Sequence, residues 1–373
     1  MKKTALKEAD LLEKVEDFAK TVIFPQRETL IRSPIFPETL WRSFIDYGLA
    51  GLSIPADYGG EGAGFQTIAQ AGYLLNRFGG VPGVNLTLCS HWTLARLHLL
   101  YGTSEQLKEK YLPAIATGTE ILSMAISEPG AGAHPKKLST TAIRNEDRFL
   151  LNGEKAFLTN GPLATAYLVL AITSEEKGRR AFSTFLIPSK AEGLQKTTGV
   201  ELDFLHPCPH GGVRLQNCSI DEENMIGEEG TAFERTSLKM RAVEDALGAA
   251  SLLGILSHLL YHFARNAPLS TASQIGAIET QLQSLKIVAA HLAKQAEEQP
   301  DALDTLLSLY LGFRQQSKTC MTAIKDLYET SPADPSDYIS LLLRDVLKFS
   351  AIAGSAHNSR LSKVGLAILD ANP

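Results

Sequence analysis

Hydrophobic spacing divides the chain into three stretches of different rhythm. Over residues 1–24, Leu11, Leu12, Val15, Phe18, Ala19 and Val22 recur at three- and four-residue intervals, which places them on one face of a helix. The same rhythm returns over 38–47, 65–78, 85–101 and 103–116, interrupted by the extended piece Gly48–Pro55 and the glycine-rich loop Asp57–Gly64. Pro37 stands just before the second helix, where a proline is tolerated, and Thr103-Ser104-Glu105-Gln106 is a capping start for the last. At Ile121 the period shortens. The runs 138–144, 148–151, 154–159, 166–172, 181–188 and 213–219 are β-branched or alternating, with Asn145-Glu146-Asp147, Asn152-Gly153, Asn160-Gly161-Pro162 and Lys177-Gly178 between them. They read as strands joined by turns. With no helical stretch between them, they predict a compact antiparallel sheet or barrel. From Gly230 the helical rhythm resumes over 232–265, 272–297, 301–331 and 336–369, with Pro300, Pro332 and Pro335 in the joins; long helices with short joins predict an antiparallel bundle. The expected fold class is α+β and multidomain: an N-terminal helical domain (1–119), a central small antiparallel β domain (120–229) and a C-terminal four-helix bundle (230–373).

Composition narrows the function. At 373 residues, 44% hydrophobic and 21% charged, the chain has the make-up of an ordinary globular protein with ample core. A net charge of -5 argues against a nucleic-acid partner, while leaving room for a local basic pocket. Cys89, Cys208, Cys218 and Cys320 show no C-x-x-C spacing, so they predict neither a zinc ribbon nor a disulfide framework but reduced thiols in the cytoplasm. The first ten residues carry charge without an apolar stretch and do not read as a secretory signal. The run Leu247–Phe263 is broken by Ser251, Ser257, His258 and His262. It is also short for a bilayer, so it predicts a buried helix and no membrane span. The alternating ligand types of His206-Pro207-Cys208-Pro209-His210 read as a rigid surface connection, and His258 with His262 as core or interface histidines. No metal site is expected.

The stretch Ser123–Gly132 carries the candidate chemistry. An alternating lead-in breaks at Ser127-Glu128-Pro129 into a loop of small residues, where a flat or anionic ligand can approach backbone N–H groups. Such a turn is common on its own. Its weight comes from Phe157-Leu158-Thr159-Asn160-Gly161, a second segment thirty residues on, and from the order of the surrounding elements.

Several segments together resemble the acyl-CoA dehydrogenase family. They are Tyr47–Gly64, Tyr101-Gly102-Thr103-Ser104-Glu105-Gln106 followed by Tyr111-Leu112-Pro113, Ile126–Gly132, and Leu151–Gly161. Ile126–Gly132 is similar to the family's Thr-Glu-Pro-Gly-Ala-Gly-Ser-Asp motif, and Phe157–Gly161 to its Trp-Ile-Thr-Asn-Gly. The resemblance implies an FAD cradled by Met124, Ala125, Ile126, Ser127, Gly132 and Ala133 on one side and Phe157, Leu158 and Thr159 on the other, with Ser355 also in contact. Ser127 stands for the usual Thr near flavin N5, and Phe157 for the usual Trp. The implied reaction is α,β-oxidation of an acyl-CoA or acyl-carrier-protein thioester, with hydride passing to FAD. The implied partners are an electron-transfer flavoprotein or similar acceptor and further copies of the chain, as a homodimer or homotetramer.

Removing the α-proton calls for a carboxylate whose basicity burial has raised. One family position for it matches Ile352-Ala353-Gly354-Ser355, which holds no glutamate. The other lies ten residues before a glycine on the first long bundle helix, as in isovaleryl- and long-chain-type members. Glu244 occupies it, ten residues before Gly254. By residue pattern alone, Glu244 and Gly248 fit two readings: a ligand lying on a small-residue face, or a tight helix crossing beside a solvated charge. The resemblance selects Glu244 as the base and places Ala133, Arg241, Asp245 and Gly248 against the substrate. Departures accompany it. Ala133-His134 replaces Ser-Asp, and Asp245 replaces an arginine, for which Arg241 is the nearest substitute. The segments Asn266–Ser273 and Asp326–Thr330 lack the family's grips on the far end of FAD. Two other functions fit the same sequence: a flavin monooxygenase-type relative, or a flavin-free binding subunit.

Overall fold

Helices fill the chain up to Ala116 in the computed structural model, which describes residues 7–265, 267–299, 303–330, 337–352 and 354–370. Helix α1 (Glu8–Phe18) continues through a π-helical turn, Ala19–Ile23; it buries Leu11, Val15, Phe18 and Ala19 of the predicted stripe, leaves Leu12 and Val22 half-buried, and buries Ile23 in addition. Then come α2 (Arg27–Leu30), α3 (Glu38–Asp46), α4 (Phe65–Leu74), α5 (Pro82–Leu94) and α6 (Glu105–Ala116). Pro82 opens α5, where its missing N–H costs nothing. Ser104 caps α6 by accepting from the Leu107 N–H at 3.4 Å.

Eight strands follow: β1 (Leu122–Ala125), β2 (Thr141–Asn145), β3 (Arg148–Thr159), β4 (Ala166–Glu176), β5 (Arg179–Pro188), β6 (Leu194–Thr197), β7 (His210–Asp221) and β8 (Met225–Ile226). They form one sheet in the order β6-β7-β3-β2-β4-β5-β8, with β1 added on β4. Pairing is antiparallel except for β1 on β4 and the single β2–β4 contact between Thr141 and Ile172. The expected strands 148–151 and 154–159 are one. Gly153 is not a turn but a bulge, with a register shift beside it and φ of 151°. A Cβ there would collide with Thr140, so the glycine serves a close backbone approach. Strand β4 explains how the sheet docks. Tyr167, Val169 and Ala171 face the sheet's own core, while Leu168, Leu170 and Ile172 join the helical core. Buried on both faces, it reads as a continuous apolar run.

The last part holds α7 (Lys239–Ala264), α8 (Ala272–Glu298), α9 (Leu303–Glu329), α10 (Tyr338–Ala351) and α11 (Gly354–Asp370). The expected helix 336–369 is thus two helices. At the break, Arg314 donates to the carbonyls of Ser350 (2.9 Å) and Ile352 (3.0 Å), which meets the acceptors that a helix end leaves open. Pro300, Pro332 and Pro335 lie outside the described residues. Helix α7 is central and packs on α4, α8 and α9. With the turn before it, the segment Phe233–Ala264 is long and apolar enough to cross a membrane by length and composition, but 67% of its most apolar window is buried inside the protein. His258 on α7 has both ring nitrogens engaged, by the Arg77 carbonyl (3.1 Å) and the Tyr338 hydroxyl (3.0 Å).

Candidate active site

The first half of the site is the loop that follows β1. Gly130 and Gly132 sit at φ of 71° and 56°, a backbone region that suits glycine. The Glu128 and Gly132 backbones exchange two hydrogen bonds of 3.0 Å each, closing a tight ring whose outer side is open: a Cβ at either glycine would meet nothing within 4 Å. Ser127 is half-buried and Ala133 exposed. The Ser127 carbonyl accepts from the Ala156 N–H at 2.8 Å, which joins this loop to β3.

The second half is the end of β3. Phe157 lies in a register shift between Lys155 and Leu158, at φ of 60° and 45% exposed. An aromatic residue held left-handed and facing outward is strained by about 1–3 kcal/mol, and the site around it must hold that strain. Neighbouring bonds do so: the Ser123 hydroxyl donates to the Thr159 carbonyl at 2.7 Å, and the Asn160 amide donates to the Thr87 carbonyl at 2.9 Å. Ala125 and Leu158 are fully buried in the sheet core, so they can meet a ligand only through their backbones.

Two contributors escaped the sequence reading. The first is a buried ion pair between Lys155 and Glu128, 2.8 Å apart with side chains 0% and 4% exposed. Glu128 also accepts from the Ser139 N–H and hydroxyl, both at 2.7 Å, and from the Thr140 N–H at 2.9 Å. Lys155 donates to the Ile126 carbonyl at 3.1 Å as well. The pair therefore fastens β3 to the loop across the cradle. Burial pushes the Glu128 carboxyl up, but Lys155 and these donors outweigh it and hold the group down to about 2. Lys155 is pulled the other way: burial lowers it to about 8 against the pull of Glu128. Four donors surround the Glu128 carboxylate and keep it ionised. The second contributor is His210, whose Nε2 lies 3.3 Å from the Thr159 hydroxyl and whose Nδ1 lies 3.2 Å from the Cys208 carbonyl. The segment 206–210 is therefore not a surface connection. Pro207, Cys208 and Pro209 are buried, and the segment braces the end of β3.

Helix α7 presents the third element. Arg241, Glu244 and Gly248 are exposed on one face, with Asp245 half-buried beside them. Glu244 is accessible, yet desolvation by surrounding protein, helped by Asp245 and opposed by Arg241, raises its carboxyl to about 7. Both observations hold for a group that lines an open recess, wet on one side and walled by protein on the others. A Cβ on Gly248 would meet nothing within 4 Å among the described residues, whereas one on Gly254 would collide with the Tyr73 carbonyl. The tight crossing belongs to Gly254, on α4; Gly248 opens on free space. Against the burial that raises it, Arg241 draws the Asp245 carboxyl down through its charge, without a direct ion pair between them among the described residues. The direct ion pair is with Arg360 of α11, 3.0 Å away, a contact too distant in sequence to read from spacing. Ser355 lies outside the described side chains. Gly254→Ala is expected to cost about 1–3 kcal/mol through overpacking. Gly248→Ala should leave thermal stability equal or higher by up to about 1 kcal/mol, from helix propensity. Thermal unfolding of the two variants checks this; equal losses would contradict the geometry.

Strand β5 of the sheet is joined to the bundle through the first turn before α7. There Thr184 donates to the Thr236 hydroxyl at 3.0 Å, and the Phe182 and Phe233 rings pack at 5.8 Å. Among the described residues, no group of three or more His, Cys, Asp or Glu side chains could hold a metal.

With this geometry in place, comparison with known proteins gives consistent matches. Residues 7–119 match the acyl-CoA dehydrogenase N-terminal domain, and residues 123–218 the acyl-CoA dehydrogenase middle domain. The chain is 31% identical to an acyl-CoA dehydrogenase of Bacillus subtilis, over 66% of this chain and 65% of that one. It is 30% identical to the caffeyl-CoA reductase-Etf complex subunit CarC of Acetobacterium woodii, over 70% and 68%. The alignment spans less than two thirds of the length of that Bacillus protein (65%), of a 3-(aryl)acrylate reductase of Clostridium sporogenes (63%) and of a cyclohex-1-ene-1-carbonyl-CoA dehydrogenase of Geobacter metallireducens (58%). Among solved structures, the FAD complex of PigA superposes with a TM-score of 0.84 at 23% identity, covering 98% of this chain and all of that one (100%).

Proposed function

The chain belongs to the acyl-CoA dehydrogenase family, and from that premise we propose that it is an FAD-dependent dehydrogenase acting on the α,β-carbons of an acyl thioester, with Glu244 as base. The observation that carries this reading is Glu244 itself: a carboxyl raised to about 7, facing an opening kept clear by Gly248. A base poised near neutrality is suited to accept a weakly acidic proton.

The cradle fits a flat cofactor on two grounds. Phe157 is held strained and outward, and the ring of residues 128–132 leaves its outer side bare. Met124 to Ser127, Gly132 and Ala133 would hold FAD from one side, and Phe157 to Thr159 from the other. FAD, when bound, supplies the acceptor for the two electrons that leave with the β-hydrogen. This chain's residues do the rest. Glu244 takes the α-proton, Arg241 and Asp245 flank the substrate, and the Glu128–Lys155 pair keeps the cradle's two halves in register. CoA or an acyl carrier protein would carry the acyl group. An electron-transfer flavoprotein is the fitting acceptor, since the Acetobacterium relative is a subunit of an Etf complex. Exposed Ile287 on α8 and Leu366, Ile368 and Leu369 on α11 support self-association as a homodimer or homotetramer through the C-terminal helices. Four unpaired thiols support the reducing cytoplasm.

The test is the absorption spectrum of the purified protein, before and after anaerobic addition of acyl-CoAs of graded length. A flavin spectrum that bleaches with one of them is the expected result. Flavin reduced only by a nicotinamide or a reductase, with oxygen consumed, means monooxygenase chemistry instead. A colourless protein that takes up no added FAD means a binding subunit.

A further inference from the structure

A cavity of about 310 Å³ is lined by none of the residues placed against cofactor or substrate above. It opens where α4, the π-helical segment Ala95–Leu100, β8, the start of α7 and the end of α8 meet. Phe65, Ile226 and Ala296 give it apolar walls. Its polar lining is what sets it apart. Arg96 and His98 are only 8% and 3% exposed, yet Arg96 Nε and His98 Nε2 have no hydrogen-bond partner among the described residues. Buried donors and acceptors are rarely left so without a ligand or water to meet them.

The charges in the cavity do not cancel. Glu297 is matched: one of its oxygens pairs with Arg96 Nη2 at 3.0 Å, and the other accepts from the Gln66 N–H at 3.2 Å. The Arg96 guanidinium is held between the Phe65 and Tyr101 rings, each 5.4 Å away, so it is fixed in place before anything binds. Arg235 arches over Gly227, close enough that a Cβ there would lie 2.8 Å from its Nη1. Arg235, which also lines the cavity, has no carboxylate partner among the described residues. Burial lowers the His98 pKa to about 3, so His98 contributes a neutral ring nitrogen.

We propose that this cavity is a binding site for a small organic anion, a single carboxylate or phosphoryl group on a compact apolar body. The anionic group would sit against Arg235 and the free Arg96 and His98 nitrogens, and the apolar body against Phe65 and Ile226. The volume is that of a small-metabolite pocket. Because the lining comes from the helical, β and bundle parts of the chain, an occupant would tie all three together.

Isothermal titration of the FAD-supplemented protein tests this, with sodium butyrate and inorganic phosphate as probes and sodium chloride at matched ionic strength as control. Saturable binding of one probe is expected, weakened by about tenfold in Arg235→Ala and largely kept in Arg235→Lys and in Glu244→Gln. Tighter butyrate binding identifies a carboxylate with an apolar body as the ligand class, and tighter phosphate binding a phosphoryl compound. Arg235 is exposed, so its variants should melt at the wild-type temperature without ligand. No saturable binding of either probe overturns the proposal. So does binding that Arg235→Ala leaves unchanged while Glu244→Gln weakens it, which would place the probe in the dehydrogenase site instead.

Discussion

Glu244→Gln is expected to slow acyl-thioester-dependent flavin reduction by about 10²–10⁴-fold, the range a positioned general base contributes, while flavin content and melting temperature stay at wild-type values. The side chain is exposed and forms no structural ion pair among the described residues, so the amide should change stability by no more than about 0.5 kcal/mol. The pH dependence follows from the raised carboxyl. Only the ionised form accepts the α-proton, and the group titrates near about 7. The wild-type rate should therefore be low under acid conditions, climb with rising pH through about 7 and level off above. In Glu244→Gln that step should vanish. Arg360→Ala offers a contrast, because it leaves Asp245 without its 3.0 Å partner. The stronger negative field should move the step to higher pH without removing the plateau. Stopped-flow reduction traces across pH measure all three proteins. A Gln variant with the wild-type rate and step would sink the assignment of Glu244.

How much of this was legible in the sequence depended on the range of the interaction. Local periodicity located α1 and α4 to α6, because apolar spacing and a capping Ser104 are short-range signals. The two segments proposed as the cradle are legible as motifs for the same reason, each being contiguous. Gly153 misled, because Asn-Gly is a turn signal and only a long-range neighbour, Thr140, shows that it is a bulge. Gly248 and Gly254 were indistinguishable as letters; what lies above each Cβ separates them. The Asp245–Arg360 contact joins residues 115 apart, and His210 reaches Thr159 across 51. No spacing rule spans such distances. Phe157 gave no hint of its left-handed backbone, which is imposed by the bulge between β3 and β7.

Lys155→Met is the second substitution with a large expected effect, because it strikes the cradle from beneath. The lysine is fully buried and its acceptors among the described residues are Glu128 and the Ile126 carbonyl. Removing it leaves a buried carboxylate without its counter-charge, a change that costs about 3–5 kcal/mol. The low end of that range is expected here, since the Ser139 and Thr140 donors remain. Stability should recover in part in the double variant Glu128→Gln/Lys155→Met, because a neutral amide needs no counter-charge. Acid dependence gives an independent check. Glu128 is held down to about 2 against an ordinary carboxyl value of 4.5. Its contribution is therefore complete above about 4.5 and lost as pH falls through about 2. Wild-type stability should drop across that window, and Glu128→Gln should flatten the drop. Denaturant unfolding at several pH values measures both, and flavin affinity measures the consequence for the site. Both variants lose the lysine's bond to the Ile126 carbonyl, but only Lys155→Met leaves an uncompensated carboxylate beneath the loop, so it should hold FAD more weakly than the double variant does. Equal stability of wild type and Lys155→Met would show that the pair does not fasten the cradle.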